Sequence, residues 1–300
     1  MRSSLGLLVV MLALGAGWGL TMPMSKLSVS TGRLPFGILF WQLLISAATL
    51  GIVQALRRRP LPMDRNAMPV YVIIALVGTL IPSGSALLAY RHLPAGIMSI
   101  LVSTVPMVVF AMALALGGDR FSWGRFGGLA LGLAGVVLLT APQGGLAAGT
   151  AGLWVLVALV APAMYALEVI YVGHWGTRGL GPTQVMLGAS LVGAALALAL
   201  ALVTGQFFVP LPPFGPADWA IVVGAVINAF AYTTYVWLVG HAGSTFAAQS
   251  SYLVTGFGVV WAMALLGESY SGWTWVALVA VLSGVALVQP RPRRSLSAGA

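Results

Sequence analysis

The sequence predicts an all-α integral membrane protein whose ten transmembrane helices form two inverted five-helix repeats around a central cavity. Three observations carry that expectation. Hydrophobic side chains make up 60% of the 300 residues and charged ones only 6%, with a mean hydropathy of +1.01, whereas soluble chains carry about 25% charged residues. The apolar residues gather into runs long enough to cross a hydrocarbon core roughly 30 Å thick. The fourth and fifth runs also align, without a gap, with the ninth and tenth.

The runs lie at about 5 to 24, 34 to 56, 69 to 90, 94 to 116 and 123 to 141, then at about 151 to 172, 183 to 204, 217 to 240, 244 to 266 and 272 to 289. Gly, Pro and charged residues separate them. The first follows Arg2 and contains LGAGWG, which suggests a signal peptide, but it is too long for a signal core and more spans follow, so it is read as a helix. The second carries Trp41 and Gln42, and the third ends at Arg91 and His92. Ser99, Ser103 and Pro106 mark the fourth, and Gly128 and Gly132 form a GxxxG in the fifth. Tyr165 and Glu168 fall in the sixth, Asn228, Tyr232 and Tyr235 in the eighth, Gln249, Tyr252 and Gly256 in the ninth, and Gly284 in the tenth. Continuous Leu-, Ala- and Gly-rich runs are unlike the alternating segments of about ten residues that build a barrel, and a helix satisfies its own backbone in lipid.

The net charge of +9 comes from 14 Lys+Arg against 5 Asp+Glu. These basic residues are too scattered to track a nucleic acid backbone, so they are read as topology labels. A cytoplasmic N-terminus puts Arg2, Arg57, Arg58, Arg59, Arg65, Arg120, Arg125, Arg178, Arg291, Arg293 and Arg294 inside and leaves only Lys26, Arg33 and Arg91 outside. The expectation is a multi-pass protein of a bacterial cytoplasmic (inner) membrane with both termini in the cytoplasm.

The aligned segments begin at Ala95 and Ser244. They pair Ser103 with Tyr252, Gly118 with Gly267, Asp119 with Glu268 and Gly135 with Gly284. An odd number of helices per repeat makes the second copy enter the membrane from the opposite side, the construction of many secondary transporters. The expected units are residues 1–142, residues 151–290 and a basic cytoplasmic tail at 291–300.

At this point the chain resembles the drug/metabolite transporter superfamily in its EamA branch. The residues that carry the likeness are WGLTMPMSK from Trp18 to Lys26, Ser99 to Asp119 with Pro106, Gly128 to Leu138, Ala247 to Glu268, and the Gly284 segment. Two departures stand out: Asp119 where the family usually carries Glu, and Thr255 where proline is common, which would soften any break in the ninth helix. The resemblance implies outward movement of metabolites, amino acids among them. The chain is also similar to the bacterial aromatic amino-acid exporters of the YddG type.

Glu168 is the only acidic residue well inside an apolar run, which makes it a candidate proton carrier or partner for a substrate amine. The bland reading is that it reaches water or Arg178 near the end of its helix. Asn228, Tyr232 and Tyr235 recur at i, i+4 and i+7 and so share one helix face, with Thr234 and Trp237 nearby. The substrate-binding set expected is these three with Gln249, Tyr252, Ser99, Ser103, Trp18, Gln42, Tyr165 and Glu168; Thr21, Pro23 and Trp41 are further lining candidates. Lys26 and Pro106 are expected to gate, or Lys26 to attract a substrate carboxylate, with snorkelling to the interface as its alternative. The GxxxG serves packing inside the bundle or a dimer, the expected state being a monomer.

The absence of cysteine excludes disulfides, thiolate catalysis and cysteine zinc sites. The single lysine lies in MSKLSV, so there is no P-loop, and no HExxH or intramembrane Asp pair occurs. No cofactor or metal is expected, no nucleic acid partner, and no enzymatic activity. The leading expectation is a secondary transporter, bathed in membrane lipid, that exports a small-molecule substrate by alternating access, the substrate being an amino acid with an aromatic or apolar side chain. A proton-coupled multidrug or cationic-compound exporter using Glu168 is the first alternative, and a membrane-embedded enzyme or receptor the second.

Overall fold

The computed structural model describes residues 4–117, 121–140, 151–242, 246–247 and 249–288. Arg2, Gly118, Asp119, Arg120 and the basic tail lie outside them. Among the described residues there is no strand, and ten apolar helical spans appear in the expected order: α1 (Ser4–Ser28), α2 (Pro35–Leu56), α3 (Ala67–Tyr90), α4 (Ala95–Ala115), α5 (Trp123–Thr140), α6 (Ala151–Trp175), α7 (Pro182–Val203), α8 (Pro216–Ala242), α9 (Ser250–Leu266) and α10 (Gly272–Val288). Seven are long and apolar enough to cross a membrane, and α5, α9 and α10 offer shorter apolar stretches.

Proline sets several boundaries. Pro35 and Pro182 occupy the first turns of α2 and α7, where a missing N–H costs nothing. Inside a span the same residue breaks the hydrogen-bond ladder. In α3, residues Ala75–Leu80 are wound as a π-helix, with the Ile81 N–H reaching Leu76 O. Pro82 follows and has no N–H to offer the carbonyl of Gly78, one turn back. In α4 the helix stops at Val102, turns through Ser103 and Thr104, and restarts at Val105 with Pro106 in its first turn. Its repeat partner differs: α9 runs unbroken through Thr255, whose hydroxyl donates to Ser251 O at 2.9 Å.

Two groups of three helices organise the interior. α1 packs against α8 and α9, and α6 packs against α3 and α4. Exchanging each helix for the one five places along turns the first group into the second. α2 with α7 and α5 with α10, whose members are likewise counterparts, complete the bundle. The GxxxG of α5 is consumed in this packing. A Cβ on Gly128 would lie 2.8 Å from Gly284 O, one on Gly284 2.5 Å from Gly128 O, and one on Gly132 2.2 Å from the Met107 side chain.

The two ends of the bundle differ in charge. Arg57, Arg58, Arg59, Arg65, Arg125 and Arg178 gather at one, where Arg178 donates to Asn66 O at 3.2 Å and Arg125 to Val288 O at 2.9 Å. Lys26, Arg33 and Arg91 lie at the other. There Arg33 pairs with Asp218, and the Trp41 indole donates to Phe208 O at 2.9 Å. Trp41 is therefore spent on the α7–α8 connection.

Gly284→Val should cost about 1–3 kcal/mol, the usual penalty for overpacking, because its new side chain meets backbone. Gly124→Ala, with nothing within 4 Å of its Cβ, should be neutral. Thermal unfolding of the two variants in detergent measures the contrast.

Candidate functional site

The interior faces of four helices converge between the two groups. On α1, Gly17 faces Ile227 of α8, while Gly15 and Gly19 lie against Leu253, Phe257 and Gly258 of α9. Trp18 thus projects between α8 and α9. Its indole donates to Asn228 Oδ1 at 3.1 Å, and its ring lies 5.9 Å from that of Tyr235. On α8, Asn228, Tyr232 and Tyr235 share the stripe expected from their spacing, while Phe230 and Trp237 on other faces are exposed. Tyr232 lies within electrostatic range of both Tyr235 and Glu168.

Glu168 and Tyr165 enter from α6. The Glu168 carboxyl lies directly on the π-helical segment of α3: a Cβ on Gly78 would sit 2.8 Å from its Oε2. A Cβ there would displace the carboxyl from its present position. Tyr165 reaches toward Ser83 on the next turns of α3 and senses the Glu168 charge. Arg178 is turned away to Asn66 O, and Glu168 has no hydrogen-bond or ion-pair partner among the described residues. α6 runs to Trp175, so Glu168 lies two turns from its end. Tyr165, Glu168 and Tyr232 keep some accessible surface although protein surrounds them, and Tyr235, Asn228 and Trp18 are half-buried beside them. The arrangement offers one uncompensated carboxylate, phenol hydroxyls, an amide and an aromatic wall: a receptor for a cationic group attached to an apolar or aromatic body.

Other residues proposed from the sequence fall elsewhere. Ser99 is buried, donates to Thr255 O at 3.3 Å and sits where a Cβ on Gly258 would meet it at 2.2 Å; it closes the α4–α9 contact. Ser103 is buried and donates to Ile100 O at 2.7 Å within the α4 turn. Tyr252 is half-buried against the main core on the side of α9 turned from the α1 contact. Gln249 precedes the first turn of α9 and is exposed. Gln42 is half-buried on α2. Pro106 flanks the α4 break. Two of the three donors of the Lys26 ammonium are engaged, with Tyr90 O at 2.6 Å and Leu93 O at 3.0 Å.

Gly78 and Ser83 are site neighbours whose residue types alone do not single them out. The signal was present in VGTLIPSGS: a mid-span glycine four residues before proline marks a disturbed ladder, the usual setting of a π-bulge.

The EamA-like transporter family pattern matches residues 4–141 and again residues 152–289. The uncharacterized inner membrane transporter YedA of Escherichia coli is 25% identical over 96% of this chain and 92% of its own length. The uncharacterized transporter YvbV of Bacillus subtilis is 23% identical over 94% and 90%. A probable terminal-alkyne amino-acid exporter of Streptantibioticus cattleyicolor is 28% identical over 83% and 80%. A protein crystal structure superposes with a TM-score of 0.63 at 19% identity, covering 95% of this chain and 96% of that one; this likeness concerns the fold.

A double-mutant cycle of Trp18→Phe and Asn228→Ala, read from unfolding free energies in mixed micelles, should give a coupling of about 0.6 kcal/mol, the average for interhelical hydrogen bonds in membranes. Strict additivity would show that the indole and the amide are not bonded.

Proposed function

The chain belongs to the EamA-like transporter family, and from that premise we propose that it exports small amphipathic metabolites, amino acids with aromatic or apolar side chains foremost, by alternating access. It is a multi-pass membrane protein with bacterial inner membrane relatives. The observation that carries the substrate reading is the unpaired Glu168 carboxylate facing Tyr232, with Trp18 and Tyr235 beyond. A lone carboxylate in the membrane interior is costly unless a cation joins it, and an amino acid's ammonium supplies that cation. Its side chain packs on the Trp18 and Tyr235 rings, while Asn228 and the tyrosine hydroxyls remain for its carboxylate. The amino-acid exporter among the relatives supports the same class.

The end rich in arginine is assigned to the cytoplasm, with both termini there, by the positive-inside rule. Inverted halves follow from five helices per repeat, and the exchange symmetry of the helix contacts supports them. Two similar halves then present the site to either side in turn.

The same carboxylate supports a second reading, export of organic cations in exchange for protons at Glu168. Flux from liposomes loaded with tryptophan, threonine, a sugar or a cationic dye, with and without a pH gradient, separates the two. Tryptophan efflux is expected, and amino-acid flux absent under all conditions sinks the first reading. Glu168→Gln should lower efflux by about tenfold or more, the loss of a charge-assisted contact. Gly78→Ala, which displaces the carboxyl without changing it, should lower efflux in the same direction.

A further inference from the structure

At the Lys26 end, the turn between α3 and α4 is gripped at both of its helix ends. The last carbonyls of α3, at Tyr90 and just beyond at Leu93, accept from Lys26 Nζ. The first amides of α4 donate to one carboxylate: Ala95 N to Glu268 Oε1 at 2.8 Å and Gly96 N to Glu268 Oε2 at 3.2 Å. The Tyr270 hydroxyl donates to Glu268 and accepts from Gly96 N at 3.1 Å. A Cβ on Gly96 would meet that hydroxyl at 2.2 Å, so glycine is what lets the α9–α10 turn come this close. A cation on carbonyls and an anion on amides both match the helix dipoles they cap.

These partners belong to opposite groups of helices. Lys26 ends α1, and Glu268 and Tyr270 follow α9, both in the group of α1, α8 and α9. The gripped turn joins α3 to α4 and is fastened to its own group by His92, stacked on Trp154 of α6 with ring centroids 3.7 Å apart. Glu268 is aimed by the end of α9. Gly267 adopts φ +67°, its N–H reaches Met263 O and the Glu268 N–H reaches Ala262 O, a Schellman stop. Burial, and then the hydrogen bond to Glu268, push the Tyr270 phenol up, so it remains a protonated donor at physiological pH.

Burial differs along the same interface. All of Ala95–Leu101 in α4 is buried, whereas in the continuation Val105–Ala115 only Met107 and Phe110 are. In α6, Val155, Ala158 and Ala161 are buried in the half toward the Lys26 end, and Ala166 alone beyond Pro162. The contacts of α4 with α1 and α9 accordingly come from its Ala95–Val102 segment, toward the Lys26 end.

We propose that Lys26, Glu268 and Tyr270 are positioning residues of a gate at the Lys26 end, clasping the α3–α4 turn to hold that side shut, and that the site opens there only when the clasp releases. This rests on the two-sided access proposed above. Its test reads access without substrate, so failure of the substrate assignment and failure of the clasp give separate results. The chain has no cysteine, so Asn228→Cys provides a single thiol in the interior. A membrane-impermeant maleimide is applied to right-side-out and to inside-out vesicles. The parent thiol should react from one side only. Glu268→Gln, Lys26→Met and the milder Tyr270→Phe should each raise labelling from the other side by about tenfold, the effect of losing charge-assisted hydrogen bonds from one of two states. Labelling from the first side should persist, which separates gate release from misfolding. A parent labelled equally from both sides, or a Tyr270→Phe protein that labels on the first side and stays closed on the second together with Glu268→Gln, overturns the proposal.

Discussion

A polar backbone group in hydrocarbon has no water to turn to, and the places where this chain breaks its own ladders are the places where its side chains matter. Helix interiors satisfy themselves. Pro82 removes a donor from the middle of α3, and the π-helical turns that result carry Gly78, against which Glu168 lies. Pro106 attends the break in α4, where Ser103 and Thr104 turn their hydroxyls back to carbonyls at 2.7 and 2.6 Å. Between α3 and α4, exposed carbonyls and amides are met by a lysine and a glutamate from elsewhere in the sequence. Helix ends and helix faults therefore carry the Glu168 contact, the α4 turn and the Lys26–Glu268 cluster.

The fold was legible because it rests on composition and period. Ten apolar runs, their order and the duplication of the fourth and fifth in the ninth and tenth all stand in the sequence, and the described helices follow them to within a few residues at most ends. Interruptions were harder to read. A run such as VIIALVGTLIPSGS is apolar throughout, and hydropathy does not distinguish an α-helical turn from a π-helical one.

The site was legible where one helix carried it. Asn228, Tyr232 and Tyr235 share a face by spacing alone, and Glu168 stood out as the single acid within a span. The choice among faces was not legible for α9, since a stripe of Gln249, Tyr252 and Gly256 looks the same whether it meets a cavity or the outside. Contacts of Leu253, Phe257 and Gly258 show only that the stripe is turned from α1. Alignment of the repeats paired Ser103 with Tyr252, but the two copies have diverged at Pro106 and Thr255, one broken and the other continuous, so equivalent positions no longer imply equivalent surroundings. The partners of Lys26 and Glu268 were also out of reach, because a backbone acceptor carries no residue-type signal.

The seam between α5 and α10 has a mechanical meaning. With Gly128 and Gly284 backbone to backbone, the side chains at the seam, Val281, Leu287 and Val288, pack against glycine rather than against one another. Prising them apart would leave a void along the seam, while a small roll of one on the other would not. Each is its repeat's last helix, so the two halves are joined along a seam whose close approach resists their separation.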